Sequence, residues 1–137
     1  MSSEYLNPIY HIKPEFVLCG SSALEFMGLF VGYINVSTVY VYQISGTDKA
    51  VPKEYTVIPL LKRKIEYAEK NGIKYTTFEQ TINDMLSDNR LEDPQALMEA
   101  LNDYLYTYGR DDPYIWSENI SRYEYYRKES AYYYSDF

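Results

Sequence analysis

Thiols and imidazoles are nearly absent, since Cys19 and His11 are the only residues of their kinds among 137. One thiol excludes an internal disulfide, and one thiol with one imidazole leaves no nitrogen–sulfur cage for a metal. Glycine and proline number six each, and no two glycines fall in the spacing of a phosphate-cradling loop. Long apolar runs are missing too. The stretch from Phe16 to Met27 is broken by Gly20, Ser21, Ser22 and Glu25, far short of the roughly 18–20 residues of a membrane helix. The opening Met1-Ser2-Ser3-Glu4-Tyr5 lacks the basic start and apolar core of a signal peptide. These absences lead us to expect a cytosolic, reduced chain with no metal, no cofactor and no membrane contact. What is present, 46% apolar and 24% charged residues, suits a single globular domain over residues 1–137.

Two imbalances carry more information. Residues 1–76 hold 8 Lys/Arg against 7 Asp/Glu, whereas residues 77–137 hold 5 against 13, so the formal charge of −7 is confined to the second half. Binding of DNA or RNA needs a basic face that releases condensed counterions. The only basic cluster, Lys62-Arg63-Lys64, is three residues long, so no direct nucleic-acid contact is expected. Tyrosine is the second imbalance: there are 18, ten of them between Tyr104 and Phe137. A lone Tyr is explained by packing in the outer shell of a small domain. Ten in so short a stretch point to a surface that is wet alone and dry when bound. We expect Tyr106, Tyr108, Trp116, Tyr123 and Tyr126 to contact a protein partner, and the same surface suits a homodimer.

Along the chain, residues 1–14 carry Pro8 and Pro14 and read as an extended arm. Glu15 to Cys19 reads as a short buried strand entering a helix, with Ser22 and Glu25 spaced as a capping box and Gly28 as a left-handed stop. Asn35 to Gln43 and Tyr55 to Leu60 are β-branched and aromatic, hence strands, the second ended by Pro59. Asn71-Gly72 between Lys64–Glu69 and Ile73–Thr76 signals a hairpin, because both residues tolerate positive φ. Thr77 and Gln80 form a second capping box before the apolar face of Phe78, Ile82, Met85 and Leu86. Asp93-Pro94 starts a helix whose stripe runs from Leu97 to Tyr108. Asp112-Pro113 repeats that signal ahead of Ile115, Trp116, Ile120 and Tyr123, and Glu129 to Phe137 reads as a fraying tail. The fold expected is α+β: a small mixed, mainly antiparallel sheet of about four strands packed with three to four helices. Residues 15–108 form its core and 109–137 an acidic, Tyr-rich helix and tail.

Catalytic chemistry finds little support. Cys19 with His11 is the one nucleophile–base pair, both in apolar settings with no third residue to orient the base. Carboxylate pairs such as Glu79 with Asp84, Asp88 with Glu92, and Asp111 with Asp112 sit at helix starts and turns, where capping already explains them. The chain is read as non-enzymatic.

Two blocks resemble a known family. The run Leu18-Cys19-Gly20-Ser21-Ser22-Ala23-Leu24-Glu25-Phe26-Met27-Gly28-Leu29 resembles the helix that opens the effector domain of AbiEi-type antitoxins. Those are the antitoxin halves of type IV abortive-infection toxin–antitoxin systems. Further on, Gly72-Ile73-Lys74-Tyr75-Thr76-Thr77-Phe78-Glu79-Gln80-Thr81-Ile82-Asn83-Asp84-Met85-Leu86 is similar to that family's second signature, a strand entering a helix through a hydroxyl cap. Gln80 stands where the family often has arginine. Asp93 to Leu105 is similar to the helix that follows, so the resemblance spans about Phe16 to Tyr108.

The family usually places a DNA-binding winged helix-turn-helix ahead of this domain, and the 15 residues before Phe16 are too few for one. The resemblance therefore implies a stand-alone effector domain, a phage-defence role and a nucleotidyltransferase-like toxin as the partner counteracted, directly or indirectly. Within it, Ser21, Ser22, Gly28, Thr77, Glu79 and Asp84 read as structural, with Thr81 and Asp84 tying their helix to the preceding loop. A second reading rests on charge alone: an acidic nucleic-acid mimic from a phage or mobile element, its carboxylates standing in for phosphates.

Overall fold

The computed structural model describes residues 8–32, 38–46, 51–60 and 64–134. Five short strands, β1 (Phe16–Leu18), β2 (Val39–Gln43), β3 (Tyr55–Ile58), β4 (Tyr67–Lys70) and β5 (Ile73–Thr76), make one sheet in the order β3-β2-β1-β5-β4. A 3-10 turn (Pro8–His11) precedes them. The helices are α1 (Gly20–Phe26), α2 (Phe78–Ser87), α3 (Pro94–Asn102) and α4 (Ile120–Tyr134). The α+β class is as expected, but among the described residues the sheet has five strands and is not mainly antiparallel. Pairings β1–β2 and β4–β5 are antiparallel, whereas β1–β5 and β2–β3 are parallel. Only the hairpin leaves a local sequence signal. A parallel pairing requires a crossover and is decided by distant residues.

Alternation along the strands sorts side chains to two faces. Val17, Cys19, Tyr42 and Ile58 join Ile82, Met85, Leu97, Leu101, Tyr123 and Tyr126 in the larger core, under α2, α3 and α4. Phe16, Leu18, Val39, Val41 and Ile73 face the other way, covered by Ile9, Ile12 and Ala23. The segment expected as an extended arm thus supplies core residues where it is described, because its 3-10 turn seals the second face. Residues 1–7 and 33–37 lie outside the described residues, as do Lys62 and Arg63.

Helix ends show where hydrogen bonds were redirected. No capping box opens α1. The helix starts at Gly20, behind Cys19, with no side-chain cap. Cys19 N donates to the Tyr40 carbonyl at 3.0 Å, while the Cys19 carbonyl is taken by Ala23 N. Tyr40 N, left without that acceptor, donates instead to Ser22 Oγ at 2.9 Å. The hydroxyl therefore extends the sheet rather than capping the helix. At the other end Gly28, with φ +77°, donates to the Glu25 carbonyl, and Leu29 N reaches back to the Leu24 carbonyl. That is the Schellman arrangement expected of a left-handed glycine.

In α2, Thr77 Oγ1 accepts from Gln80 N at 3.3 Å, but the Gln80 side chain does not return the bond. Its Oε1 accepts from Glu66 N at 3.0 Å and its Nε2 donates to Asp84 at 2.8 Å. Thr81 Oγ1 donates to the Thr77 carbonyl at 2.7 Å, so it ties α2 to the preceding turn. Asp84 turns to Gln80 instead. Asp93 caps α3 through Ala96 N, with Pro94 in the first turn.

Three expectations about the second half change. The helix read as far as Tyr108 stops at Asn102 and continues as a π turn, Asp103–Thr107. Asp112-Pro113 starts no helix, and regular helix resumes only at a 3-10 turn (Ser117–Asn119) leading into α4. The expected frayed tail is helical to Tyr134, since α4 packs along α3, with Ser130 Oγ donating to the Met98 carbonyl at 2.8 Å.

The segment from 112 to 119 is instead held by α2. Glu79, Asn83 and Ser87 recur every four residues on one helical stripe. Tyr114 N donates to Glu79 Oε1, Trp116 N donates to Asn83 Oδ1, and Asn83 Nδ2 donates to the Tyr114 carbonyl, each at 2.9 Å. Asn119 Nδ2 completes the clamp on Asn83 Oδ1 at 3.1 Å and on Ser87 Oγ at 2.9 Å.

Candidate functional site: an aromatic groove at the start of α2

Four local structures converge on one side of the molecule. The glycine stop after α1 turns Met27 and Leu29 toward the sheet edge. The Asn71-Gly72 turn, with φ of 54° and 79°, folds β4 onto β5 so that Ala68 lies opposite Tyr75. Both turn residues in the left-handed region give the type I′ geometry that matches strand twist. Thr77 then caps α2 and places Phe78 at its first position. The π turn brings the fourth piece: Tyr108 N donates to the Asp103 carbonyl at 2.8 Å, and Arg110 N donates to the Tyr104 carbonyl at 3.0 Å.

In consequence the Tyr104 ring stacks on Phe78, with centroids 3.7 Å apart and planes 6° from parallel. The Arg110 guanidinium lies 5.8 Å from the Tyr104 centroid, a cation–π distance. Between these groups runs a groove of about 540 Å³. Leu29 and Phe78 are its buried residues, and Tyr108 is 59% exposed along it. π turns inside helices recur at functional sites.

Charge singles out the same place. Of the four described arginines, Arg90 pairs with Asp88 at 2.6 Å, Arg127 with Asp112 at 2.7 Å, and Arg122 with Glu92. Arg110 makes no ion pair with a described carboxylate, and it is exposed. Sequence reasoning missed it, because an arginine after Gly109 carries no pattern of its own.

The five aromatics expected at a partner surface divide. Tyr106 and Tyr108 are 50% and 59% exposed. Trp116 is half-buried. Tyr123 and Tyr126, by contrast, are core residues at 6% and 7% exposure. Tyr123 donates its hydroxyl to Asp112 at 2.5 Å and Tyr126 donates to Glu92 at 3.0 Å. They fall on the inner face of α4, so the bare tyrosine count overstates the available surface. Tyr114, Tyr125 and Tyr132 are exposed where no residue was singled out.

The six structural residues sort as follows. Ser22, Gly28, Thr77 and Glu79 hold the contacts given above. Ser21 is half-buried in α1. Asp84 is buried beside Tyr42 at the floor of a second cleft, about 650 Å³, which Asp88, Arg90, Leu60 and Pro59 also line. Burial and the neighbouring Asp84 carboxylate push the Tyr42 phenol far above its ordinary range.

The Cys19 thiol has no access to solvent. Cys19 is fully buried, and burial first, then Asp84 and Asp88, push its thiol well above the usual value. His11 lies exposed on the 3-10 turn. Among the described residues no group of three His, Cys, Asp or Glu side chains is arranged to hold a metal ion. No helix among them is long and apolar enough to cross a membrane. Comparison with protein-family models, curated proteins and solved structures finds no match to this chain.

Proposed function

We propose that this chain is a non-enzymatic binding protein of the AbiEi antitoxin type that counteracts a nucleotidyltransferase-like toxin. One observation carries the reading. The two blocks that resemble the family, far apart in sequence, contribute Met27 and Leu29 on one side and Tyr75, Thr77 and Phe78 on the other to a single groove. The Tyr-rich half completes it with Tyr104, Tyr108 and Arg110. Such a mixture of apolar floor, tyrosine rim and one arginine is the composition of a protein-contact centre. The buried, protonated thiol of Cys19 speaks against the enzyme alternative. Against the nucleic-acid mimic, Asp88, Glu92 and Asp112 each hold an arginine and are not free to stand in for phosphates.

Co-expression with a nucleotidyltransferase-like toxin encoded beside it tests the reading. Growth arrest by the toxin should be relieved by the wild-type chain. Unrelieved arrest across every neighbouring candidate would sink it.

A further inference from the structure

We infer that the groove at the start of α2 receives a carboxylate-bearing, apolar segment of a protein partner, with Arg110 holding the carboxylate and the Leu29–Phe78 floor taking the apolar side chain. The inference rests on the proposed reading that this protein acts through protein contact, and it adds the chemistry of what is contacted.

Charge complementarity is the argument for this occupant. Three of the four described arginines have a carboxylate within the chain, and Arg110, set in an otherwise uncharged lining, has none among the described residues. An arginine beside a tyrosine ring keeps its planar fork free for a bidentate carboxylate while the ring limits its motion, so less freedom is lost on binding. Its main chain is fixed as well, by the bond from Arg110 N to the Tyr104 carbonyl. Apart from Thr77, the remaining lining is apolar or phenolic, Met27, Leu29, Tyr75, Phe78 and Tyr108 among it. A segment carrying an acid next to a leucine-like or aromatic anchor satisfies both parts at once.

A nucleic acid fits less well. A base would have to compete with the 3.7 Å stack of Phe78 on Tyr104, and a phosphate backbone would find one cation in the lining, Arg110, where a nucleic-acid face needs several. A single carboxylate needs only the one arginine that is present.

The experiment pans a phage-displayed random 12-residue peptide library against the full chain, then measures synthetic peptides made from the winners. We expect Asp or Glu at a constant spacing from Leu, Phe or Tyr. Replacing that acid by its amide should weaken binding about tenfold, the scale of a charge-assisted Arg–carboxylate pair. Arg110→Gln should weaken it equally, and the amide swap should then have no further effect, whereas Lys128→Gln on the outer face of α4 should change nothing. The amide swap is read on the unaltered protein, so it decides even if Arg110→Gln unfolds.

Enrichment of basic peptides, failure to enrich any peptide, an amide swap without effect, or Arg110-dependent binding of oligodeoxythymidylate would each overturn the inference. Its failure is separable from that of the antitoxin reading. Toxin relief that survives Arg110→Gln removes the groove chemistry alone, and Arg110-dependent peptide binding without toxin relief removes the antitoxin role alone.

Discussion

Asn83 makes every hydrogen bond its side chain can offer. Its amide nitrogen donates to the Glu79 and Tyr114 carbonyls, and its oxygen accepts from Trp116 N and Asn119 Nδ2. It is also wholly buried, so truncation takes the acceptor from Trp116 N and the donor from the Tyr114 carbonyl at once, while Asn119 Nδ2 keeps its bond to Ser87 Oγ. Asn83→Ala should destabilise the fold by about 2–4 kcal/mol, since buried groups left unsatisfied cost more than the bond itself was worth. Urea denaturation followed by circular dichroism reads this as a lower midpoint with an unchanged slope; a shift of a few tenths of a kcal/mol would contradict it. Nothing in the sequence announced this residue. Glu79, Asn83 and Ser87 fall outside the apolar face of Phe78, Ile82, Met85 and Leu86, and a polar face ordinarily meets solvent. The same blindness affected Ser22 and Gln80: their spacing reads as capping, whereas Ser22 bonds to Tyr40 of β2 and Gln80 joins Glu66, just ahead of β4, to Asp84.

At the level of elements, α4 depends on polar ties as well as burial. Asp112 accepts from Arg127 and from the Tyr123 hydroxyl, and Glu92 accepts from Tyr126 and Arg122. The hydrogen bond from Arg127 chiefly, with that from Tyr123, holds the Asp112 carboxyl below its ordinary value of 3.8 against the opposing effect of burial. A depressed folded value means that the contribution is present at neutral pH and lost as pH falls below about 4 through the folded value. The pair is half exposed, so the effect is small, under about 1 kcal/mol. Asp112→Asn should therefore lower the urea midpoint slightly at pH 7, and the gap from wild type should close near pH 2. A gap that widens on acidification would reverse the assignment. The sequence misread this aspartate as a helix cap because Asp-Pro looks the same before a helix and before an extended stretch clamped by α2. It read Asp93-Pro94 correctly, where a helix follows and nothing competes for the chain.

For the whole molecule, the buried tyrosines join the buried Cys19 thiol in setting the alkaline limit. Burial and acidic neighbours raise the Tyr42 and Tyr123 phenols well above the ordinary 10.0. Above that pH the unfolded chain releases these protons while the folded one retains them, so stability falls as pH rises. Replacing both with phenylalanine should flatten the fall above about pH 10, by up to about 1.4 kcal/mol per pH unit for each ring. Urea midpoints measured across that range check it, and parallel curves for wild type and variant would refute it.

The sequence by itself determined the local pieces: the Asn71-Gly72 hairpin, the Gly28 stop, the Thr77 and Asp93 caps, and the α+β class. Each rests on backbone preferences that act within a few residues. Only the tertiary structure decided the two parallel pairings, the inward turn of Tyr123 and Tyr126, and the π turn that carries Arg110 to the groove. Those outcomes depend on which distant groups compete for the same hydrogen bonds and the same buried space, and no short stretch of sequence contains that competition.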